Sequence, residues 1–239
     1  MSADSFSVLE TGPDIAWWAK AICEEVGVLA VARSIEVWGR ENSSNVRKVL
    51  WLCEELQIEF VQHVVGGRHG GLDSPEYLAM NPNHKIPTIK HGSFVLWESN
   101  AILRYLGTVF GTATVWPEDV QVRARADQWM DWQVTTLRPP MVPLVLDWIY
   151  GRAMNQDACI AVEPKWRVLD EALGRTRYLA GDAFTLGDIP CAVVADWWFS
   201  FPIDRPSLPN LERWFSDISQ RPGFRKFVLG KPYGPPEDH

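Results

Sequence analysis

Three short segments carry residues able to do chemistry together. Asn81-Pro82-Asn83-His84-Lys85-Ile86-Pro87-Thr88-Ile89 ends in an Ile-Pro peptide that runs into a strand-like stretch. Proline lacks an N–H and tolerates a cis bond better than any other residue. A cis proline at a strand entrance exposes the backbone of the residue before it, here Ile86, to pair with another peptide. Trp97-Glu98-Ser99-Asn100-Ala101-Ile102-Leu103 then places an acid and a hydroxyl where an apolar-periodic helix begins. A helix N-terminus with serine is an anion site, and Glu98 beside it can take an ammonium. The third segment, Asn42-Ser43-Ser44-Asn45, sets hydroxyls and amides between a strand and a helix. Donors and a helix N-terminus both favour a thiolate over a thiol. The same residues are also the ordinary material of an N-cap.

A site that pairs with a peptide backbone and holds a carboxylate next to an amine fits a γ-glutamyl tripeptide. The constellation resembles the glutathione transferase family. Ser43-Ser44-Asn45-Val46-Arg47 is similar to the Ser-x-Pro-x-Arg signature of its theta- and delta-like members, with Asn45 in place of proline. The resemblance covers about residues 34–230 and implies a serine-type, bacterial-like transferase. It places the catalytic serine on Ser43 and a helper on Asn45. It makes Pro87 cis, uses the backbone of Ile86, and has Glu98 and Ser99 grip the γ-glutamyl end of glutathione. His84 or Lys85 would meet the glycyl carboxylate, although both also read as an exposed loop pair; His69 is a weaker basic candidate. Cys53 lies on an apolar helical stripe and reads as core. Cysteine-type relatives carry their thiol before the first helix, where this chain has serines, which argues against a mixed-disulfide mechanism and against maleylacetoacetate isomerase.

The resemblance further implies glutathione as co-substrate with no other cofactor, an apolar or electrophilic small molecule as second substrate, and a homodimer. The second substrate would lie between the domains against the start of a long helix, where Arg125, Trp129 and Trp132 could line a pocket. Packing at helical spacing explains each tryptophan as well. Two other readings stay open: a glutathione-dependent peroxidase or disulfide reductase, and a non-catalytic interaction protein on the same fold.

The elements that must position these residues are legible. Ser34-Ile35-Glu36-Val37-Trp38 alternates as a strand. Val46, Val49, Leu50, Cys53 and Leu56 form one face of a helix. Residues 60–64 read as a strand, 75–80 as a short helix, and 88–91 with 94–96 as a hairpin around Gly92-Ser93. After Glu98, Ile102, Tyr105, Leu106 and Val109 mark a helix. That order is a thioredoxin-like α/β domain over residues 34–111. Residues 112–117 read as a linker, and 118–239 as an all-helical domain. There Pro139, Pro140 and Pro143 end or kink a helix starting near Glu118. Thr185-Leu186-Gly187-Asp188 forms a capping box, giving Asp188 a structural role. A last amphipathic helix runs over 210–219, and Pro222 opens a final turn. Residues 1–33 read as an extension in which Asp14 caps a helix through Val26, with Ile15, Trp18 and Ile22 on its apolar face.

Composition excludes several classes. At 239 residues and 46% apolar content the chain can bury one large core or two modest ones. A net charge of −7 disfavours a nucleic-acid surface. No apolar run approaches the roughly 18–20 residues that cross a bilayer, and no basic segment opens a secretory leader. The four cysteines, Cys23, Cys53, Cys159 and Cys191, form no C-x-x-C, and the five histidines form no metal-binding motif. Reduced thiols in a cytoplasmic protein, without metal, nucleic acid or membrane, are the expectation.

Overall fold

The computed structural model describes residues 34–233. The helix expected from Asp14 to Val26, together with Cys23, lies outside them. β1 (Ser34–Trp38) buries Ile35 and Val37 and turns Ser34 outward, following the period of two. α1 (Ser44–Leu56) crosses over and returns the chain to β2 (Glu59–His63), which pairs parallel to β1 with Ser34 opposite Glu59. Parallel neighbours need such a crossover. After a 3₁₀ turn at Gly67–His69 and the short α2 (Pro75–Met80), β3 (Thr88–His91) and β4 (Phe94–Trp97) form the antiparallel hairpin. β3 also pairs antiparallel with β1, giving the sheet order β2-β1-β3-β4. α3 (Ser99–Phe110) follows.

α1 is buried far beyond the single stripe that its periodicity predicts. Arg47, Lys48, Trp51 and Leu52 are buried along with Val46, Val49, Leu50, Cys53 and Leu56. The reason is that the helical half covers its other faces. In α9 (Pro222–Phe227), Phe224 meets the Trp51 ring edge-on at 5.0 Å. A Cβ at Gly223 would stand 2.5 Å from Trp51 Cδ1, so only glycine permits this approach. Arg221 clasps Glu55 of α1 through two hydrogen bonds of 2.6 and 3.0 Å.

Beyond residue 118 the described residues are helical. α4 (Val120–Trp132) is capped by Asp119, whose carboxylate accepts from the Gln121 and Val122 amides. The prolines do not end this helix. A π turn over Gln133–Leu137 joins it to α5 (Arg138–Ile149), with Pro139 and Pro140 in the first turn, where an absent N–H costs least. α6 (Gln156–Leu173), α7 (Asp188–Ser200) and α8 (Pro209–Ser219) complete the bundle with α9. α7 is apolar around almost its whole circumference and runs through the centre. Asp188 opens it and is fully buried. It accepts from the Thr185 amide and hydroxyl, the Leu179 amide and Trp214 Nε1. The reciprocal box expected here is only half made, since Gly187 is the N-cap and Thr185 Oγ1 accepts from Gly187 N while the Asp188 amide donates to the Thr185 carbonyl. Within residues 112–117, Val115 and Trp116 are buried, and the Val115 carbonyl accepts from Leu186 N at 3.0 Å. This stretch is therefore packed against the helices.

One side chain spans the molecule. Arg47 of α1 donates from Nε to the Glu41 carbonyl at 2.7 Å and from its two terminal nitrogens to the carbonyls of Lys231 and Pro232. The Tyr233 ring lies 4.0 Å beneath the same guanidinium, and its hydroxyl donates to Asp196 of α7.

Candidate active site

The loop between β1 and α1 turns at Gly39, at φ +149. A Cβ there would strike Val46 at 2.5 Å and press on Ile86 at 3.3 Å, so the glycine lets this loop lie against the Ile86 segment. Ser43 is the N-cap of α1 with extended φ and ψ, and its carbonyl accepts from Arg47 N at 3.0 Å. Its hydroxyl makes no cap bond. The residue is buried, and the hydroxyl has no other partner among the described residues. Capping explains the backbone of Ser43 but leaves its hydroxyl without a task. Asn45, in the first turn of α1, accepts from Ser99 Oγ at 3.4 Å. That long hydrogen bond joins two of the three segments singled out in the sequence.

The third is held by a polar knot that sequence reasoning missed. Ile86-Pro87 is cis. Tyr77 of α2 donates to the Lys85 carbonyl at 2.6 Å and meets Thr88 Oγ1 at 2.9 Å. Asn81 Nδ2 donates to the same two groups at 2.8 and 3.1 Å, and its Oδ1 accepts from the Asn83 amide at 3.0 Å. Burial pushes the Tyr77 hydroxyl above its usual pKa, so it remains a proton donor. The knot fixes the chain on both sides of Ile86, whose own N–H and C=O pair with no described residue. His84 is exposed at φ 54, with Nδ1 2.7 Å from Asp73. Lys85 is exposed and its ammonium has no ion-pair partner among the described residues. Of the two basic residues, Lys85 is the one whose charge is uncommitted.

Glu98 is the N-cap of α3 at φ 71, ψ 112, a region that a non-glycine residue occupies at a cost of about 1–3 kcal/mol. Its carbonyl accepts from Ile102 N, so the helix itself holds the strained residue. Ser99 is buried behind it, and the exposed Glu98 carboxylate pairs with no described cation. Asn100 donates from Nδ2 to the Met130 carbonyl at 2.9 Å. The end of α4, and not its start, therefore faces the first turn of α3. Arg125 sits exposed two turns earlier, while Trp129 and Trp132 are half-buried and pack edge-on at 5.3 Å.

A second group that the sequence did not flag lies on the helical side. Lys48, one turn beyond Asn45, is buried, and its Nζ donates to Gln133 Oε1 at 3.3 Å. Burial, with Arg138 nearby, pulls its pKa down to about 7, against the opposing fields of Cys191 and Glu98. Nothing in the local pattern sets Lys48 apart from a surface lysine; its partner is 85 residues away. Cys53 and Cys191 are free and fully buried. Burial pushes the Cys53 thiol up to about 12 and raises Cys191 well above its usual value, so neither is a nucleophile at neutral pH. Among the described residues no helix is long and apolar enough to cross a membrane.

Known proteins share this arrangement. Residues 42–109 match the family description "Glutathione S-transferase, N-terminal domain", and residues 130–222 match "Glutathione S-transferase, C-terminal domain". The chain is 34% identical over 203 residues to glutathione S-transferase GstB of Escherichia coli, covering 82% of this chain and 98% of that protein. It is 31% identical over 216 residues to glutathione S-transferase 3 of Zea mays, covering 84% and 96%. The theta class glutathione S-transferase of Xanthomonas axonopodis pv. citri, solved with glutathione bound, superposes with a TM-score of 0.74 at 38% identity, covering 82% of this chain and 98% of that one. A Bombyx mori glutathione transferase gives 0.76 at 26% identity, covering 82% and 93%. With both halves matched and nearly the whole of these relatives spanned, the chain belongs to the glutathione S-transferase family.

Proposed function

We propose that this transferase joins the glutathione thiolate to an electrophilic carbon, with Ser43 donating a hydrogen bond to the sulfur and Asn45 assisting. The observation that carries this reading is the Ser43 hydroxyl, which belongs to a largely buried residue at the helix N-cap yet takes no part in the cap. A thiolate set there would receive both the hydroxyl hydrogen and the positive end of the α1 dipole. In this reading the unpaired Ile86 backbone aligns the cysteinyl peptide. Ser99 and the α3 N-terminus take the γ-glutamyl carboxylate, and Glu98 takes the ammonium. Lys85, with His84 beside it, meets the glycyl carboxylate. Residues 34–111 form the glutathione-binding domain, 112–117 the connection and 118–239 the helical domain. Glutathione is consumed as co-substrate, and no other cofactor is needed.

The test is Ser43→Ala. A hydrogen bond to a charged group is worth roughly 1.5–3 kcal/mol, so conjugation of an aryl halide slows by about 10- to 100-fold near neutral pH. The pKa of the bound thiol rises, part of the rate returns at higher pH, and glutathione affinity changes little. Ser44→Ala is mild by comparison. Ultraviolet titration of bound glutathione with pH–rate profiles decides it. An intact thiol pKa in Ser43→Ala, with turnover abolished in Asn45→Ala, would instead favour reductase chemistry. The reading includes a cytoplasmic two-fold homodimer. Light scattering at twice the chain mass and recovery in the cytoplasmic fraction check these two points, and a monomer mass contradicts the first.

A further inference from the structure

Cations stand without an anion on the helical side of the site. The α4–α5 junction is a π turn in which the Arg138 amide donates to the Gln133 carbonyl five residues back. In a regular α-helix, residues five apart point about 140° away from each other. The i→i+5 closure brings Gln133 and Arg138 onto one face instead. Pro139 and Pro140 cannot donate to the carbonyls an α ladder would offer there, which is why the turn takes this form. The face includes Lys48, since Gln133 is fully buried and accepts from its ammonium.

The polar groups of this face are incompletely paired. Gln133 Nε2 and Arg138 Nε are both buried and donate to no described residue. Neither Lys48 nor Arg138 forms an ion pair with a described carboxylate; of the two groups whose fields favour the Lys48 ammonium, burial keeps Cys191 a neutral thiol, which leaves the charge of Glu98, beyond ion-pair distance. In the proposed complex even that charge is claimed by the glutathione ammonium. Two basic groups and a buried amide donor then lie together with no anion, an arrangement costly unless a ligand supplies one. Glutathione's own carboxylates have other partners, at Ser99 with the α3 N-terminus and at Lys85. Arg138 is only partly buried, and its planar fork suits a two-oxygen anion.

We propose that Arg138, backed by Lys48 and Gln133, is an anion-recognition point for the second substrate, so that the electrophiles this protein takes best carry a carboxylate or sulfonate. This rests on the conjugation reading above. The contact is made by Arg138; Lys48 and Gln133 act through it by holding the charge and orientation of the turn.

The experiment compares 1-chloro-2,4-dinitrobenzene with 4-chloro-3,5-dinitrobenzoate in the wild type and in Arg138→Met, Arg138→Gln and Arg138→Lys. In each reaction the thiolate sulfur bonds to the ring carbon, chloride leaves with the electron pair of the C–Cl bond, and the thiol proton passes to solvent. The ratio of kcat/KM for the anionic over the neutral halide should fall by about 10- to 100-fold in Arg138→Met and Arg138→Gln, and less in Arg138→Lys. An unchanged ratio in the folded variants, or equal losses on both halides, overturns the proposal. So does an effect confined to the KM for glutathione, which would assign the anion to the tripeptide itself. If the wild type turns over neither halide, the conjugation reading fails separately. Binding of unreactive 3,5-dinitrobenzoate, followed by tryptophan fluorescence, then decides this one: a tenfold weaker Kd in Arg138→Met sustains it, and an unchanged Kd overturns it.

Discussion

The loop that carries the cis proline and the helical wall opposite it handle buried polar groups in contrary ways. Around Ile86, Tyr77, Asn81 and Thr88 bond to one another and to the Lys85 carbonyl. In the wall, Gln133 Nε2 and Arg138 Nε are buried without partners among the described residues. A closed network fixes one geometry, and an open one leaves groups in need of a ligand. In the proposed function the closed side presents the Ile86 peptide to glutathione, and the open side faces the second substrate.

Substitutions on either side of the site test this contrast. The largest effect is expected from Asn81→Ala, which removes two donated and two accepted bonds from the closed network. Such a loss costs about 2–4 kcal/mol of stability, and glutathione affinity falls with it because the Ile86 peptide is no longer held. Urea denaturation and calorimetric titration with glutathione measure both. Undiminished affinity in the folded variant would remove the knot from the binding site. On the open side the expected sign is reversed. Lys48→Met replaces a buried cation with a thioether of similar length and stabilises the protein near neutral pH, by about 1–3 kcal/mol. The folded-state pKa of Lys48 is lowered to about 7 from an ordinary 10.5. Between those values the unfolded chain binds more protons, so the wild type gains stability as pH rises through that window. The advantage of Lys48→Met is therefore full below pH 7 and shrinks toward pH 10. Denaturation curves at pH 6.5 and 9.5 check it, and a variant weaker than the wild type at the lower pH contradicts it.

What the sequence made legible was local. The strand at Ser34–Trp38, the short helix at Pro75–Met80 and the hairpin after Thr88 follow from alternation, proline and glycine within a few residues. The cis peptide before Pro87 and the helix start at Glu98-Ser99 are local signals as well. What stayed hidden depends on residues far apart in the chain. Tyr77 and Thr88 read as an ordinary helix aromatic and a strand residue until the fold sets their hydroxyls 2.9 Å apart. Lys48 and the packing of Arg47 went unread, because nothing nearby in the sequence says that two further helices will cover that face of α1. The prolines after Arg138 announced a break in the helix, but the π turn they produce is a choice among several ways to lose the same hydrogen bonds.

Arg47 bears on how this molecule can be inherited. Its side chain reads the Glu41 carbonyl, two residues before Ser43, together with the carbonyls of Lys231 and Pro232. A chimera that took its sheet half from one relative and its helices from another would join at the connection and appear whole. It would still separate this arginine from the tail it was matched to, with the mismatch falling on the loop that carries Ser43. Exchange between such genes should therefore succeed more often when the last residues travel with the first helix.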